Sequence, residues 1–403
     1  MFSGKIQSME NINAKIKIIL AIDTSCDDTS VAVTRGNMVL SNVISSQIEL
    51  HSKWGGVVPG IARREHEKRI DLVVMEALEL AFKLPGANLD KYMGKIDAIA
   101  VTQGPGLAIA LEVGVRKAKE LALKFMKPLI PVDHMEGHLL SGLAGLEFSE
   151  DEIFPALGVL VSGGHTQLIL ANGVGDYKII GETLDDAIGE SFDKVAKMLG
   201  FEYPGGPIVA KFAEKGDPSK YDLPISMKNS NEFNVSYSGL KTAVLYLVRD
   251  LMGQERRGRL EKGESWKKGK DVPSEKISTE LTPLEKLGEA TVADICASFQ
   301  YAAVETLMNK IRKILGTYKV KSVLLGGGVV NNKMLREEIL KIGQSRGVRV
   351  LIPQTKELFM DNAGMMGVAG YLSAKSNPEK VFTDKENIEA IDRDPGKVLM
   401  ENL

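Results

Sequence analysis

The sequence predicts two similar α/β lobes facing each other across a cleft, and three observations carry that prediction. An apolar run, Ile16 to Ile22, stops at the polar turn Asp23-Thr24-Ser25-Cys26-Asp27-Asp28 and resumes as Ser30 to Thr34, which reads as a hairpin. The same order returns near half-length, as Ala156 to Val161, then Ser162-Gly163-Gly164-His165-Thr166, then Leu168 to Ala171. The length of 403 residues suits two domains or one duplicated one, with ample chain for a large core.

Composition narrows the class. Hydrophobic residues make up 44% and charged residues 26%, as in ordinary water-soluble domains, and the formal charge of −2 argues neither for nor against nucleic acid. Two cysteines, Cys26 and Cys296, are too few and too far apart for a disulfide scaffold and point to a reducing compartment. No apolar run is long enough to span a membrane. Residues 1–17 carry lysines but neither a cleavable signal nor the arginines of an organelle transit peptide, and Met9 is an alternative start.

Taken in order, the first hairpin offers hydroxyls, N–H groups and carboxylates at its tip, where Asp23 is either a turn residue or a holder of metal or water beside a phosphate. A further strand pair is expected before a helix from Val58 to Lys83 that starts at Pro59. Arg63, Arg64, His66, Lys68 and Arg69 make its beginning basic, either a solvated face or a contact for nucleic-acid phosphates. The strand Ile96 to Val101 then ends in Thr102-Gln103-Gly104-Pro105-Gly106, which feeds a helix from Leu111 to Lys127 whose first turn has free N–H groups for an anion.

The strand Pro128 to Val132 leads into Asp133-His134-Met135-Glu136-Gly137-His138. Histidines four apart stack on one helix face and can point at a single metal ion, or they form a polar helix edge. A zinc-peptidase reading fails, because Met135 stands where those enzymes carry the glutamate base, and Glu136 lies on the opposite face from His134.

In the second half, Leu184 to Lys194 starts a helix that runs to Leu199, with Asp186, Glu190 and Asp193 on one face. Carboxylates so placed repel, which favours a cation or ribose hydroxyls as partner. Tyr203-Pro204-Gly205-Gly206-Pro207 is a rigid loop with close backbone access, and Asn234 to Thr242 leads to another helix with Lys241 facing either a phosphate or solvent. From 254 to 289 the composition shifts to an exposed basic insertion carrying Trp266, either solvated or a single-stranded RNA contact. A helix from Thr291 to Leu315, the strand Ser322 to Leu325, Gly326-Gly327-Gly328 and a helix from Met334 to Ile342 follow, an order that lets a nucleotide lie on bare backbone. After the strand Val348 to Ile352, Asp361 is placed to cap the closing helix or to complete a metal site with the histidines.

Together the hairpin turns, His134-Met135-Glu136-Gly137-His138, Asp185 to Lys194, Tyr203 to Pro207, Ser236 to Thr242, Gly326 to Gly328 and Asp361-Asn362-Ala363 resemble the universal tRNA threonylcarbamoyladenosine transferase family, formerly described as O-sialoglycoprotein endopeptidases. The resemblance is colinear from about Ile16 to Leu372. It implies the actin-like ATPase fold, with an extension at 1–15, a first lobe at 16–147, a second at 148–372 with the insertion 254–289, and a tail at 373–403. It implies transfer of a threonylcarbamoyl group from threonylcarbamoyl-adenylate to N6 of the adenosine beside the anticodon, position 37, in tRNAs that read codons beginning with A. His134, His138 and Asp361 would hold one divalent or ferric ion, described for the family as iron (Fe2+), and Val161, Ser162, Gly163, Gly164, His165, Asp193, Gly206 and Asn332 the adenylate. Asp133 and Tyr237 depart from the asparagine and phenylalanine of many relatives. His-Met-Glu-Gly-His and Gly55 to Pro59 are closer to the bacterial and organellar branch. With no transit peptide visible, the bacterial side is taken, and for it the resemblance implies a cytoplasmic protein working with a smaller paralogue of the same fold and a P-loop ATPase, where mitochondrial relatives work largely alone. A small-molecule kinase of the same fold using ATP is the competing expectation; it would need a carboxylate base and no histidine metal site.

Overall fold

The computed structural model describes residues 16–54, 56–253 and 281–399. The extension 1–15 and the basic stretch from 254 to 280, Trp266 included, lie outside the described residues. From Leu281 the predicted insertion is ordered as a short helix, Pro283–Leu287, capped by Thr282 and Glu285.

Strands β1 (Ile18–Asp23), β2 (Asp28–Arg35) and β3 (Met38–Ser46) form an antiparallel meander. Strands β4 (Ala98–Gly104) and β5 (Leu129–Asp133) add in parallel beyond β1, in the order β3-β2-β1-β4-β5. The second half repeats the scheme. Strands β6 (Ala156–Val161), β7 (Thr166–Gly173) and β8 (Asp176–Glu182) make the meander, while β9 (Ser322–Gly326) and β10 (Arg349–Leu351) run parallel beyond β6. Two sheets of one topology are the duplicated actin-like ATPase architecture. The central strands β1 and β6 are covered on both faces, which is why their sequences are continuous apolar runs rather than alternations. Between the first hairpin and the long helix there is one strand, β3, where a pair was expected; the residues after it turn into a short helix, Ile48–Ser52.

The helices that matter for the site are α1 (Pro59–Phe82), α2 (Ala108–Phe125), α3 (His134–Leu140), α4 (Ile188–Met198), α5 (Gly206–Ala213), α6 (Ser238–Leu251), α7 (Glu289–Thr317), α8 (Lys333–Arg346) and α9 (Ala363–Ser376). Helices α1 and α2 cover the outer face of the first sheet, and α4, α6 and α7 that of the second. A third apolar core lies between the sheets, where Met135 and Leu139 of α3 and Met365 and Met366 of α9 pack with Ile19, Ala100, Leu160 and Leu324. Helix α3 is therefore buried along all seven residues, and α9 lies across β1, β2, β3 and β5. Among the described residues no helix is long and apolar enough to cross a membrane.

Candidate metal centre

Helix α3 starts where β5 ends, because Asp133 caps it by accepting the N–H groups of Met135 (2.7 Å) and Glu136 (3.1 Å). An aspartate in place of asparagine supplies the same acceptor. One turn then places His134 and His138 on one face, their rings edge to face with centroids 4.7 Å apart. Glu136 points the other way and accepts the Tyr177 hydroxyl at 2.9 Å, so the face opposite the histidines is a closed structural contact.

Asp361 comes from the far end of the chain. The cap of α9 is Asn362, which accepts the Met365 N–H at 3.0 Å, so Asp361 is not needed in that role. The helix entrance is tied to the first sheet: Ala363 N–H donates to Ser30 Oγ (2.8 Å) and Gly364 N–H to Asn42 Oδ1 (3.1 Å). Asp361 Oδ1 then stands 3.1 Å from His138 Nε2 and 3.4 Å from His134 Nε2, and one ligand atom from each of the three residues lies within 4.8 Å of the others. Asp23 Oδ2 is 3.6 Å from His134 Nδ1, while its other oxygen accepts the Ser25 N–H; the turn role and proximity to the centre coexist in one side chain.

Electrostatics agree with a cation site. Burial opposes charge on His134, but the carboxylates of Asp361 and Asp23 overcome it and hold its pKa up to about 9. Burial likewise opposes the charge on Asp361, and the two imidazoles hold its carboxyl well below the usual range. Nitrogen Nδ1 of His138 is buried and without a hydrogen-bond partner. Two imidazoles and a carboxylate converging at this separation suit a borderline transition-metal ion, and the residues present fit one.

The second hairpin adjoins this centre. Gly326 and Gly327 run between the two: a Cβ on Gly326 would stand 2.3 Å from the His138 carbonyl oxygen, and one on Gly327, whose φ is +93°, 2.4 Å from that of Val161. Ser162 N–H donates to the His165 carbonyl and His165 N–H to Ser162 Oγ, which folds Ser162 to His165 into a tight turn with Gly163 and Gly164 facing open space. Burial lowers the pKa of His165, and His134 and His138 lower it further, so its ring belongs to the same electrostatic neighbourhood.

The remaining candidates have internal partners. Asp193 Oδ1 accepts the N–H groups of Gly205 (2.8 Å) and Gly206 (2.9 Å), fixing that glycine loop against α4. Asn332 caps α8 through Leu335 N–H (3.1 Å) and donates to Gln300 Oε1 (2.6 Å). Of the three carboxylates expected to face a cation or ribose hydroxyls, two meet lysines of this chain: Asp186, just ahead of α4, pairs with Lys194 and Lys241, and Glu190 with Lys194, while Asp193 turns to the glycine loop. Lys241 therefore faces a carboxylate, neither a phosphate nor bulk water. The basic start of α1 is also largely neutralised, because Glu65 pairs with Lys68 and Arg69, and Glu67 with Arg63 and Arg116.

The glycine loop ahead of α2 is tied to the tail and to the first hairpin. Gly106 N–H donates to the Pro395 carbonyl at 3.3 Å and Leu107 N–H to the Ser25 carbonyl at 2.8 Å, while Asp394 N–H bonds the Gln103 carbonyl. The tail lies so close that a Cβ on Gly104 would meet the Asp394 carbonyl oxygen at 1.7 Å. No motif announces this strap. Asp28 is legible as one of the hairpin carboxylates, but its burial is not; that burial pushes its carboxyl up to about 7, with Ser46 opposing and Asp27, Asp361 and Asp23 adding to the rise.

Comparison with known proteins gives three findings. Residues 38–368 match the family model described as tRNA N6-adenosine threonylcarbamoyltransferase. Proteins of that name from Dictyoglomus turgidum and Clostridium perfringens (strain SM101) are each 41% identical to this chain, over 355 and 367 residues; the first alignment covers 88% of this chain and 92% of the relative, the second 91% and 95%. Among solved structures, HypF from T. kodakarensis superposes with a TM-score of 0.55 at 14% identity over 91% of this chain, and full-length HypF in its phosphate- and nucleotide-bound form with 0.52 at 14% over 90%. This chain spans about half the length of those two structures, 48% and 47%, and the likeness is one of fold.

Proposed function

The chain belongs to the tRNA N6-adenosine threonylcarbamoyltransferase family, and from that membership we propose how its residues carry out the transfer and with what. It is an acyltransferase that modifies tRNA. The donor in this reading is threonylcarbamoyl-adenylate. The N6 amine of adenosine 37 attacks the carbamoyl carbon, the new N–C bond forms, the C–O bond to the adenylate phosphate breaks, AMP leaves, and the amine gives up one proton.

An exocyclic adenine amine is a weak nucleophile, so rate comes from orientation and from stabilising charge on the carbonyl oxygen and the departing phosphate. The observation that carries the reading is the convergence of His134, His138 and Asp361 beside the Ser162 to His165 turn. We assign the metal to those three residues and take it to be iron; when bound, it supplies Lewis-acid stabilisation of developing negative charge on oxygen. The open backbone of Gly163 and Gly164 and the loop Gly205 to Gly206, held by Asp193, are the surfaces assigned to the adenylate. Asn332 shapes that side by capping α8. His165, whose pKa burial and the histidine pair lower, can offer a ring nitrogen to one hydrogen bond there.

Partners follow from the same reading: tRNA, a smaller paralogue of this fold and a P-loop ATPase, in the cytoplasm. The kinase alternative is not favoured, since the family match and the histidine trio both speak for group transfer from an adenylate. The test is reconstitution. Purified chain with those partners, threonylcarbamoyl-adenylate and unmodified tRNA should yield N6-threonylcarbamoyladenosine by nucleoside mass spectrometry, and replacing His138 by Ala should abolish it together with bound metal. Product formation independent of His138 would refute the assignment.

A further inference from the structure

Outside the metal trio, His51 and His66 are both fully buried, and both belong to one polar chain behind the first hairpin. Three successive carbonyls at the hairpin tip are each held from a different element: Ser25 by Leu107 N–H (2.8 Å), Cys26 by His66 Nε2 (3.1 Å) and Asp27 by Gln47 N–H (3.2 Å). In a trans peptide the N–H points opposite to the carbonyl it follows, so anchoring these oxygens also fixes where the Cys26 and Asp27 N–H groups point. The hairpin abuts the metal centre through Asp23, whose Oδ1 accepts the Ser25 N–H (3.1 Å) and whose Oδ2 stands 3.6 Å from His134 Nδ1. After burial, which does most, the field of Asp361 also raises the pKa of both Cys26 and Asp28.

The protons in this chain have a single consistent arrangement. The Cys26 carbonyl only accepts, so His66 Nε2 carries the hydrogen. Its Nδ1 then accepts from the Thr29 hydroxyl (2.8 Å) and from Gln47 Nε2 (3.4 Å). That orientation leaves Gln47 Oε1 to accept from His51 Nε2 (3.2 Å), and His51 Nδ1 accepts the Val58 N–H (3.2 Å) at the entrance of α1. Both rings are neutral, with tautomers dictated by a backbone carbonyl at one end and a backbone N–H at the other.

We infer that His66 is a positioning residue for the transfer reaction, acting through the Cys26 carbonyl to set the hairpin tip that faces the metal centre. This rests on the functional reading above. His66 makes no hydrogen bond or ion pair to the metal trio or the assigned adenylate residues, so its effect is on orientation, where an error of about 1 Å costs roughly a hundredfold in rate.

The test uses the reconstituted complex with His66→Phe and His66→Gln. Glutamine can place an amide N–H where the ring nitrogen was, whereas phenylalanine fills the space without a donor. Expected for His66→Phe is a fall in kcat of about a hundredfold, with KM for tRNA and metal content unchanged; His66→Gln restores most of the rate. A second readout needs no turnover. Cys26 is the half-buried cysteine and Cys296 the buried one, so alkylation of Cys26 reports on the tip; it should speed up roughly tenfold in His66→Phe and not in His66→Gln. If the wild-type complex transfers nothing, the functional reading fails while the Cys26 rates still decide whether His66 holds the tip. Wild-type kinetics and alkylation in His66→Phe, or equal loss in both variants with loss of metal, would overturn the inference.

Discussion

Gly326 presses bare backbone against His138: a Cβ at this position would stand 2.3 Å from the His138 carbonyl oxygen, far inside van der Waals contact. The end of β9 and helix α3 are therefore in backbone-to-backbone contact, and the position of a histidine of the candidate metal centre depends on the absence of one methyl group. Neither backbone can yield cheaply, since α3 is buried between the two sheets.

Gly326→Ala is expected to cost about 1–3 kcal/mol, as overpacking does, and to lower metal content by displacing His138. Gly328→Ala is the control, because nothing lies within 4 Å of a Cβ there. Thermal denaturation and metal analysis of the two variants check this. Equal behaviour of the two would contradict the packing argument.

Asp193→Ala leaves the N–H groups of Gly205 and Gly206 without their acceptor. Leaving these donors, that of buried Gly205 above all, without an acceptor costs about 1–3 kcal/mol, which predicts AMP binding weakened by roughly tenfold or more. Asp193→Asn keeps an oxygen in place and should bind AMP close to the wild type. Isothermal titration calorimetry distinguishes them, and metal content should be the same in both.

Asp28 provides a pH signature. Its folded pKa of about 7 is above that of an ordinary carboxyl, so the folded protein holds more protons than the unfolded one between about pH 4 and 7. Stability therefore falls as pH rises through that window; the cost is absent below it and complete above it. Asp28→Asn, with no charge to bury, should gain on the wild type by on the order of 1–3 kcal/mol between pH 5 and pH 8. Denaturant unfolding at both values measures the gain, and a pH-independent difference would show that the carboxyl is already ionised at pH 5.

Much of this was legible in the sequence, for physical reasons. The duplicated hairpins showed because buried central strands must be continuous apolar runs and their turns must be polar. The histidine pair showed because i and i+4 share a helix face at any place in any fold. What stayed hidden depended on contacts far apart in sequence. The tail that closes the Gly104 loop is held by backbone bonds through Asp394 and Pro395, which no residue pattern advertises. His66 read as one member of a basic helix start, yet the fold buries it and turns its charged neighbours outward to Glu65 and Glu67. Asp186 and Glu190 looked like an unpaired acidic face because Lys194 and Lys241, which neutralise them, are brought in by the next turn of α4 and by α6.

The most direct test of the central claim is nucleoside mass spectrometry of tRNA from cells depleted of this protein and resupplied with either the wild-type chain or Asp361→Ala. The account predicts that N6-threonylcarbamoyladenosine disappears on depletion, returns with the wild type and stays absent with the variant. Unchanged levels on depletion, or full recovery with Asp361→Ala, would contradict it.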